Sequence, residues 1–265
     1  MPGTIPLNQT PPNGQIALIT GAASGIGRGV AVQLAAAGWQ VAATGLDAAG
    51  CEATATMIRA AGGQATAQHV DVADEAGVAA AVASLPGPVT LLVNAAGLQH
   101  IAPIESFEVA RFRQLVDVML TGAAITSAAV LPGMRTRGHG RIVHIGSIHS
   151  LVASPYKSAY IAAKHGLVGL ARTLALETAD TDITVNIVCP SYVRTPLVDN
   201  QIAAQARTRG IPLDQVIEQV FLEPMPKRRF IEIDEIAGTI QFLASAAARN
   251  ITGQCLVLDG GWTAR

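Results

Sequence analysis

The sequence predicts an α/β fold: a single domain with a doubly wound, mostly parallel sheet of seven strands and helices on both faces. Short apolar runs typical of buried strands alternate with longer helical patterns along almost the whole chain. A glycine-rich turn joins the first strand to the first helix. Because helical connections return each strand parallel to its neighbour, this alternation places helices on both faces of a parallel sheet.

The strands are predicted from their apolar and β-branched residues, at Gln15–Thr20, Gln40–Thr44, Ala67–Val70, Leu91–Val93, Arg141–Ile145, Thr184–Val188 and Gln254–Leu258. The main helices are predicted at Arg28–Ala37, Ala48–Ala61, Glu108–Met134, Ser158–Glu177 and Glu232–Ser245. Residues 197–230 interrupt the alternation with two helical stretches around Gly210 and Pro212. We predict a substrate lid at about 197–230, because insertions after a late strand often serve that purpose. Residues 1–13 are predicted to be a flexible tail before the domain at 14–265.

Composition excludes several classes of function. The formal net charge is −1 and the basic residues are scattered, so no nucleic-acid surface is expected. The start lacks the basic and apolar regions of a signal peptide, and no run reaches the ~18 apolar residues of a membrane span, so a cytoplasmic protein is predicted. The three cysteines are odd in number and lack CxxC spacing, which predicts buried free thiols and no metal site. A composition of 50% hydrophobic and 14% charged residues favours a homo-oligomer.

Three glycines, Gly21, Gly25 and Gly27, lie between the first strand and the first helix. Glycines there permit a tight turn and let a pyrophosphate approach the helix amino end, where free N–H groups and the helix dipole favour anions. The spacing GxxxGxG differs from the GxGxxG fingerprint, and such a turn also occurs for structural reasons alone.

The end of the second strand bears on the choice of cofactor. In dinucleotide-binding folds an acidic residue after this strand binds the ribose hydroxyls, whereas arginine accommodates a 2′-phosphate. Asp47 follows the strand, and neither arginine nor lysine lies in the glycine loop before Arg28 or directly after the strand. We therefore predict NAD over NADP, with a surface residue of the next helix as the alternative for Asp47.

Two further strand ends offer candidate contacts. Asp71 is placed to accept a hydrogen bond from the adenine amino group or, alternatively, to cap the following helix. The run Asn94-Ala95-Ala96-Gly97 follows a buried strand, and its small residues allow either a cofactor or another segment to lie against the backbone.

A hydroxyl, a phenol and an amine are brought together between residues 144 and 177. Ser147 follows a predicted strand, at the sheet edge where open α/β sheets bind ligands. Tyr160 and Lys164 lie four residues apart and so share one face of a predicted helix. An ammonium within roughly 4–6 Å lowers a phenol pKa, which predicts that Tyr160 exchanges a proton near neutrality. The alternative is a chance YxxxK pattern on an amphipathic helix.

With TGAASGIG at 20–27, NAAG at 94–97, and Ser147, Tyr160 and Lys164 at this spacing, the chain resembles the short-chain dehydrogenase/reductase family over about residues 14–265. The resemblance implies a Rossmann-type fold, usually tetrameric, that transfers hydride between nicotinamide and a carbinol or carbonyl carbon. It also implies that Ser147 positions the substrate oxygen, Tyr160 is the acid/base, and Lys164 binds the nicotinamide ribose and lowers the Tyr160 pKa. The implied cofactor contacts are Gly21, Ser24, Gly25, Ile26, Gly27, Asp71, Val72, Asn94, Ala95, Gly97, Tyr160, Lys164, Pro190, Val193 and Thr195, with Thr195 at the carboxamide.

Within the family the chain is most similar to the group that oxidises D-3-hydroxybutyrate, from the runs LQHIAP at 98–103, SIHS at 147–150, AKHG at 163–166, TPLV at 195–198 and DGGW at 259–262. The resemblance implies a carboxylate site formed by Gln99, His149, Lys157 and Gln201, beside Ser147, Tyr160 and Tyr192, with Trp262 closing one side. One cation and several donors around a reacting hydroxyl suit a small anionic substrate. Alone, each of these polar residues is as consistent with a surface position.

Met119 departs from the family pattern, which places an asparagine thirteen residues before Pro132 to hold a water in the proton relay. Asp117 points about 200° away around the helix and cannot substitute. Either the relay uses other groups, or turnover is reduced, or the substrate differs. Tyr192, where the group has tryptophan, also leaves the substrate open.

Alternatives to this function remain within and outside the family. Another small hydroxy acid, a polyol or a 3-oxoacyl substrate is possible, although Lys227-Arg228-Arg229 is the only basic run for an acyl carrier. Met119 favours a weakly catalytic, cofactor-binding regulator, whereas retention of Ser147, Tyr160 and Lys164 argues for an enzyme.

Overall fold

A computed structural model describes residues 15–264 and contains one seven-stranded sheet. All strand pairs within it are parallel, and the strand order is β3-β2-β1-β4-β5-β6-β7. The strands are β1 Ile16–Thr20, β2 Gln40–Gly45, β3 Gln64–His69, β4 Val89–Asn94, β5 His139–Ile145, β6 Asp182–Pro190 and β7 Cys255–Leu258. The predicted fold class is confirmed, and this order is that of a Rossmann-type fold.

Helices connect the strands and cover both faces of the sheet. They are α1 Gly25–Ala36, α2 Ala48–Ala60, α3 Glu75–Ala83, α4 Val109–Val116, α5 Gly122–Arg137, α6 Ser158–Glu177, α7 Pro196–Arg209, α8 Leu213–Val216 and α9 Ile233–Ala244. Apolar residues of α1, α2 and α9 pack on one face of the sheet with β1 and β4. Residues of α5 and α6 pack on the other face against β4, β5 and β6. The sheet is thus buried on both sides, as expected for parallel strands.

Most predicted boundaries differ from the structure by one to three residues, and the differences at β3 and at the long helix after β4 are examples. The strand β3 begins at Gln64 instead of Ala67, because its sequence QATAQH has little apolar signal and its position is set by pairing with β2. The helix predicted at Glu108–Met134 extends to Arg137 and contains a π-helical turn at Asp117–Thr121 between α4 and α5. Met119 lies in that turn and is buried, while Asp117 is exposed, so the two side chains point apart as predicted.

The segment at 197–230 contains α7, α8 and a second π-helical turn at Ile217–Leu222. The helix α7 ends at Gly210, whose φ of 65° favours glycine. Val198, Ile202, Val216 and Phe221 form a small apolar cluster of its own beside the sheet. Two helical stretches were predicted here, and lid movement stays a prediction. The predicted N-terminal tail, residues 1–13, lies outside the described residues.

The helical span Val109–Arg137 includes a window long and apolar enough, by length and composition alone, to cross a membrane, contrary to the prediction of no such run. A core helix of a globular domain passes the same test. In the structure α5 packs against α3, β4 and β5, as a core helix does.

Candidate active site

The carboxyl ends of the strands open onto a cleft with an empty volume of about 1080 Å³, at the point where β1 is flanked by β2 and β4. The glycine loop between β1 and α1 forms its floor. A Cβ at position 27 would lie 2.2 Å from the Gly21 carbonyl oxygen, so the loop can close only around glycine. A Cβ at Gly21, whose φ is +65°, would lie 2.8 Å from Cα of Ala96. The loop is therefore shaped for close approach of a pyrophosphate to the amino end of α1, and the residues present fit a dinucleotide.

Ten of the predicted cofactor residues line this cleft: Gly21, Ser24, Gly25, Ile26, Gly27, Ala95, Gly97, Tyr160, Lys164 and Thr195. Pro190 and Val193 line the adjoining substrate cavity instead. Val72 lines a smaller space behind Lys164. Asp71 is exposed beyond β3, where its carboxylate accepts a hydrogen bond from the Ala73 N–H (2.9 Å). The position preceding α3 is occupied by Asp74, so the capping alternative for Asp71 was wrong.

Asn94 is buried, and its side chain serves a polar cluster behind the cleft. Its amide donates to Nδ1 of His144 (3.1 Å), and its Oδ1 accepts from the Thr126 hydroxyl (2.7 Å). His144 is fully buried. The side chain of Asn94 thus links β4 to β5 and α5, a role that the NAAG pattern did not indicate. Its contact with a cofactor stays a prediction.

Ser147, Tyr160 and Lys164 come together at the end of β5. The Ser147 hydroxyl oxygen accepts from the backbone N–H of His149 (3.2 Å), in the turn that follows the strand. Tyr160 and Lys164 share a face of α6, as predicted, and the Lys164 ammonium lies 5.6 Å from the Tyr160 ring centre. The Lys164 Nζ donates to the Ile145 carbonyl oxygen (2.6 Å), and Lys164 lines the cofactor cleft.

Burial governs the ionisation of these groups. It raises the pKa of the Tyr160 phenol, and the hydrogen bond with Ser147 opposes this rise. This direction is opposite to the one predicted from the Lys164 spacing, because desolvation of the phenolate is the largest contribution. Burial lowers the pKa of Lys164 to about 8. The amine therefore stands near its titration point in weakly alkaline solution.

A second cavity, with an empty volume of about 650 Å³, adjoins the cleft and shares Ile26, Gly146, Tyr160 and Thr195 with it. Seven of the eight predicted substrate residues line it: Gln99, Ser147, His149, Lys157, Tyr160, Tyr192 and Gln201. Gln201 projects from α7, and Gln99 from the loop after β4. Segments distant in sequence thus enclose one space next to the reacting groups.

The polar end of this cavity is formed by His149 and Lys157. The Lys157 Nζ lies 3.3 Å from Nε2 of His149 and 5.9 Å from the ring centre of Tyr192. Burial, and secondarily the Lys157 charge, lowers the pKa of His149 to about 4, so its imidazole is neutral at pH 7. Burial also lowers the pKa of Lys157. A single cation thus stands beside a neutral imidazole, and none of the six ion pairs among the described residues includes Lys157.

Trp262, the eighth predicted substrate residue, packs behind the cavity wall. Its ring centre lies 6.2 Å from that of His149 and 5.8 Å from that of Tyr192. Asp259 holds it there, because its carboxylate accepts from the N–H groups of Gly261 and Thr263 and from the Thr263 hydroxyl, at 2.7–2.9 Å. Sequence reasoning missed Asp259, although an aspartate directly after a strand and before two glycines is a turn signal.

Met119 fills the space behind Lys164. A gap of about 220 Å³ remains there, lined by Val72, Val118, Met119, Leu167 and other residues, and it has no room for a water molecule. Its polar side chains are already bonded: Thr20 accepts from the N–H groups of Ala95 and Ala96. The gap beside Met119 is therefore too small for a water molecule, although Asn94 and Lys164 also line it.

The three cysteines are free, as predicted. Cys51 and Cys189 are buried, while Cys255 is only partly buried. No group of three or more potential metal ligands occurs among residues 15–264.

His144 gives the stability of the chain a defined pH dependence. Its burial, and secondarily Lys164, lowers its pKa to about 4, whereas an unfolded-state histidine titrates near pH 6.5. Between these values the unfolded chain binds more protons, so stability falls as pH falls from about 6.5 to 4. In urea unfolding, the free energy of unfolding of the native protein should fall by about 2 kcal/mol more between pH 7 and pH 5 than that of the His144→Gln variant. The exposed His69, changed to Gln, is the control, and a pH slope unchanged in His144→Gln would contradict this expectation.

Comparison with known proteins agrees with this geometry. The family model described as short chain dehydrogenase matches residues 15–206. The D-beta-hydroxybutyrate dehydrogenase of Rhizobium meliloti (strain 1021) is 43% identical over 254 residues, which is 94% of this chain and 98% of that protein. The D-beta-hydroxybutyrate dehydrogenase of Cupriavidus necator is 41% identical over 256 residues, or 96% of this chain and 99% of that protein.

A solved structure extends the comparison to three dimensions. It is named "putative 2-deoxy-d-gluconate 3-dehydrogenase" from Agrobacterium tumefaciens, with bound NADP, and matches with a TM-score of 0.83 and 34% identity, covering 95% of this chain and 97% of that one. The family match spans most of the described chain, and the cleft has the form that a nicotinamide dinucleotide requires. This chain therefore belongs to the short-chain dehydrogenase family and is an oxidoreductase that acts on a CH–OH group.

Proposed function

We propose that the protein interconverts (R)-3-hydroxybutyrate and acetoacetate with NAD as the hydride acceptor. The observation that carries this proposal is the cavity in which Lys157 and His149, 3.3 Å apart, share a wall with Ser147 and Tyr160. One cation at a short distance from a reacting hydroxyl site suits a small carboxylate. The identity of 41–43% to D-beta-hydroxybutyrate dehydrogenases supports the same substrate.

In the proposed reaction the chain's own residues bind, orient and deprotonate the alcohol. Lys157 binds the substrate carboxylate, aided by His149, Gln99 and Gln201. The Ser147 hydroxyl, which hydrogen-bonds the Tyr160 phenol in the absence of substrate, would turn its proton to the substrate oxygen and orient it. Tyr160 takes the hydroxyl proton as the carbonyl forms. NAD, when bound, accepts the hydride from the carbinol carbon.

Lys164 supports Tyr160 in this scheme. Its Nζ is anchored on the Ile145 carbonyl and also faces the cofactor cleft, where it would bind the nicotinamide ribose. A positive charge there favours the phenolate form of Tyr160 against the opposing effect of burial. The predicted contacts of Thr195 with the carboxamide and of Asp71 with adenine belong to the same proposal.

The direct test is NADH formation by the purified protein with (R)- and (S)-3-hydroxybutyrate, each offered NAD or NADP. We expect rapid turnover only with the R enantiomer and NAD. Preferred turnover of a neutral polyol would favour another substrate of the family. Measurable NADH binding without turnover on any small hydroxy acid would favour the regulator hypothesis, to which Met119 points.

We also propose a cytoplasmic homotetramer. Apolar side chains exposed on helix surfaces, among them Val109 (63% exposed) and Leu176 (79% exposed), support association of subunits. A monomeric mass in light scattering would contradict the tetramer. Recovery of the protein outside the cytoplasmic fraction would contradict the cytoplasmic location.

A further inference from the structure

His149 is an almost fully buried imidazole, only 4% exposed, in the wall of the substrate cavity. The Lys157 Nζ lies 3.3 Å from its Nε2. An ammonium has three donors and no lone pair, so Lys157 donates and Nε2 accepts with the one lone pair that it has. The two side chains therefore bond to each other, and the Nε2 atom of His149 carries no proton.

This bond between His149 and Lys157 conflicts with binding of a carboxylate at the same wall. A carboxylate has only acceptor oxygens, which need N–H or O–H donors. The Nε2 lone pair would repel such an oxygen, and the N–H that Lys157 gives to the imidazole is withheld from the anion. A proton at Nε2 removes both obstacles, because an imidazolium donates from each nitrogen and leaves every Lys157 N–H free.

A shift of the ring proton from Nδ1 to Nε2 would supply a donor without any change in charge, but the surroundings of His149 oppose it. The hydrogen bond with the Val152 backbone favours the protonated ring, so this backbone accepts from an N–H. Nδ1 is buried, and no donor among residues 15–264 bonds to it. Without its proton, Nδ1 would therefore keep an unsatisfied lone pair.

The groups around His149 supply no negative charge that would hold a proton at Nε2 beforehand. Burial, then the charge of Lys157 and, last, the exposed His165 disfavour the imidazolium and lower the pKa of His149 to about 4. The phenols of Tyr160 and Tyr192 are neutral, since burial raises the pKa of each. Among the described residues that line the cavity there is neither aspartate nor glutamate. A substrate carboxylate would be the first anion to contact the ring.

We propose that a carboxylate substrate enters this cavity together with a proton, which His149 takes up at Nε2. The carboxylate then lies between an imidazolium and the Lys157 ammonium and accepts from both. Two positive charges this close repel each other, so the anion between them is what stabilises the second charge. The inference rests on the proposed carboxylate substrate, and it adds that the site acquires part of its charge on binding. Affinity for the anion therefore falls as pH rises, whereas affinity for a neutral ketone does not.

The test measures proton uptake by isothermal titration calorimetry at pH 6, in MES and in Bis-Tris, whose ionisation enthalpies differ. Acetoacetate is added to protein saturated with NAD, a pair that holds no hydride to transfer. Lys164, whose pKa burial lowers to about 8, is already protonated at pH 6 and does not contribute. Uptake of about half a proton or more per acetoacetate is expected, because a contacting carboxylate raises the pKa of an imidazolium.

Three comparisons assign the proton to His149. The neutral ketone 4-hydroxy-2-butanone, with a hydroxymethyl group in place of the carboxylate, is expected to bind without uptake. His149→Gln keeps a side chain that donates but does not titrate, and should abolish the uptake with acetoacetate. His165→Gln removes an exposed histidine that does not line the cavity, and should leave the uptake as in the native protein. The native Kd for acetoacetate should also rise about twofold or more between pH 6 and 7.5.

Equal acetoacetate heats in the two buffers, or a native Kd that is constant over this pH range, would overturn the inference alone. So would uptake that persists in His149→Gln or that 4-hydroxy-2-butanone reproduces. If acetoacetate binds in neither buffer, the proposed carboxylate substrate is wrong, and the inference falls with it.

Discussion

Replacing Tyr160 by Phe is expected to lower kcat for (R)-3-hydroxybutyrate oxidation by a factor of roughly 10²–10⁴, the usual contribution of a general acid/base. The phenol lies between Ser147 and Lys164 and lines both cavities, so it is the group that reaches both the substrate oxygen and the cofactor. The phenyl ring keeps the packing against His149, whose ring centre lies 6.2 Å away. The Kd for NADH should therefore stay within about threefold of native.

Tyr156→Phe is the matched control for this experiment. That tyrosine is four residues earlier, 58% exposed, and does not line the substrate cavity, so loss of its hydroxyl should leave kcat unchanged. Stopped-flow single turnovers separate the chemical step from product release. A Tyr160→Phe protein that retained native kcat would remove Tyr160 from the acid/base role, whatever the substrate.

Changing Lys157 to Gln should raise KM for 3-hydroxybutyrate about 10- to 100-fold and change kcat less than fivefold. The ammonium is partly buried, and its burial lowers its pKa, so in the variant a bound carboxylate loses a charge-assisted contact worth about 1.5–3 kcal/mol. Because the contact is present in both ground and transition states, its removal acts mainly on KM.

A neutral substrate provides the internal control for Lys157→Gln. (R)-1,3-butanediol has the same carbinol centre with a hydroxymethyl group in place of the carboxylate, and its KM should be the same in native and variant proteins. Steady-state rates on both substrates decide the outcome. Equal increases in KM for the acid and the diol would show that Lys157 shapes the cavity and does not bind the anion.

The sheet could be predicted from the sequence because its central strands are mostly apolar runs, as expected of strands that are buried on both faces. The start of β3 could not be predicted in this way, because β3 is a polar edge strand whose position depends on pairing with β2. The π-helical turn before α5 was also unpredicted, because it adds one residue to a turn without changing the apolar pattern.

At the site, motif spacing placed Ser147, Tyr160 and Lys164 correctly, since two of them lie on one helix and the third ends a neighbouring strand. Spacing could not show where side chains turn. Asn94 points into a buried cluster with His144 and Thr126. Asp47 turns to Gly50, and burial reverses the expected direction of the Tyr160 pKa. Such outcomes depend on tertiary neighbours that a local pattern does not contain.

The apolar plug formed by Met119 has a consequence for how the proposed reaction ends. Each oxidation leaves one proton on Tyr160, and the space behind Lys164 has no room for water to carry it away. Tyr160 opens only toward the cleft and the substrate cavity, which are also the paths of cofactor and product. The proton and the product would then leave through the same opening. If α7 closed over the substrate, it would slow both departures.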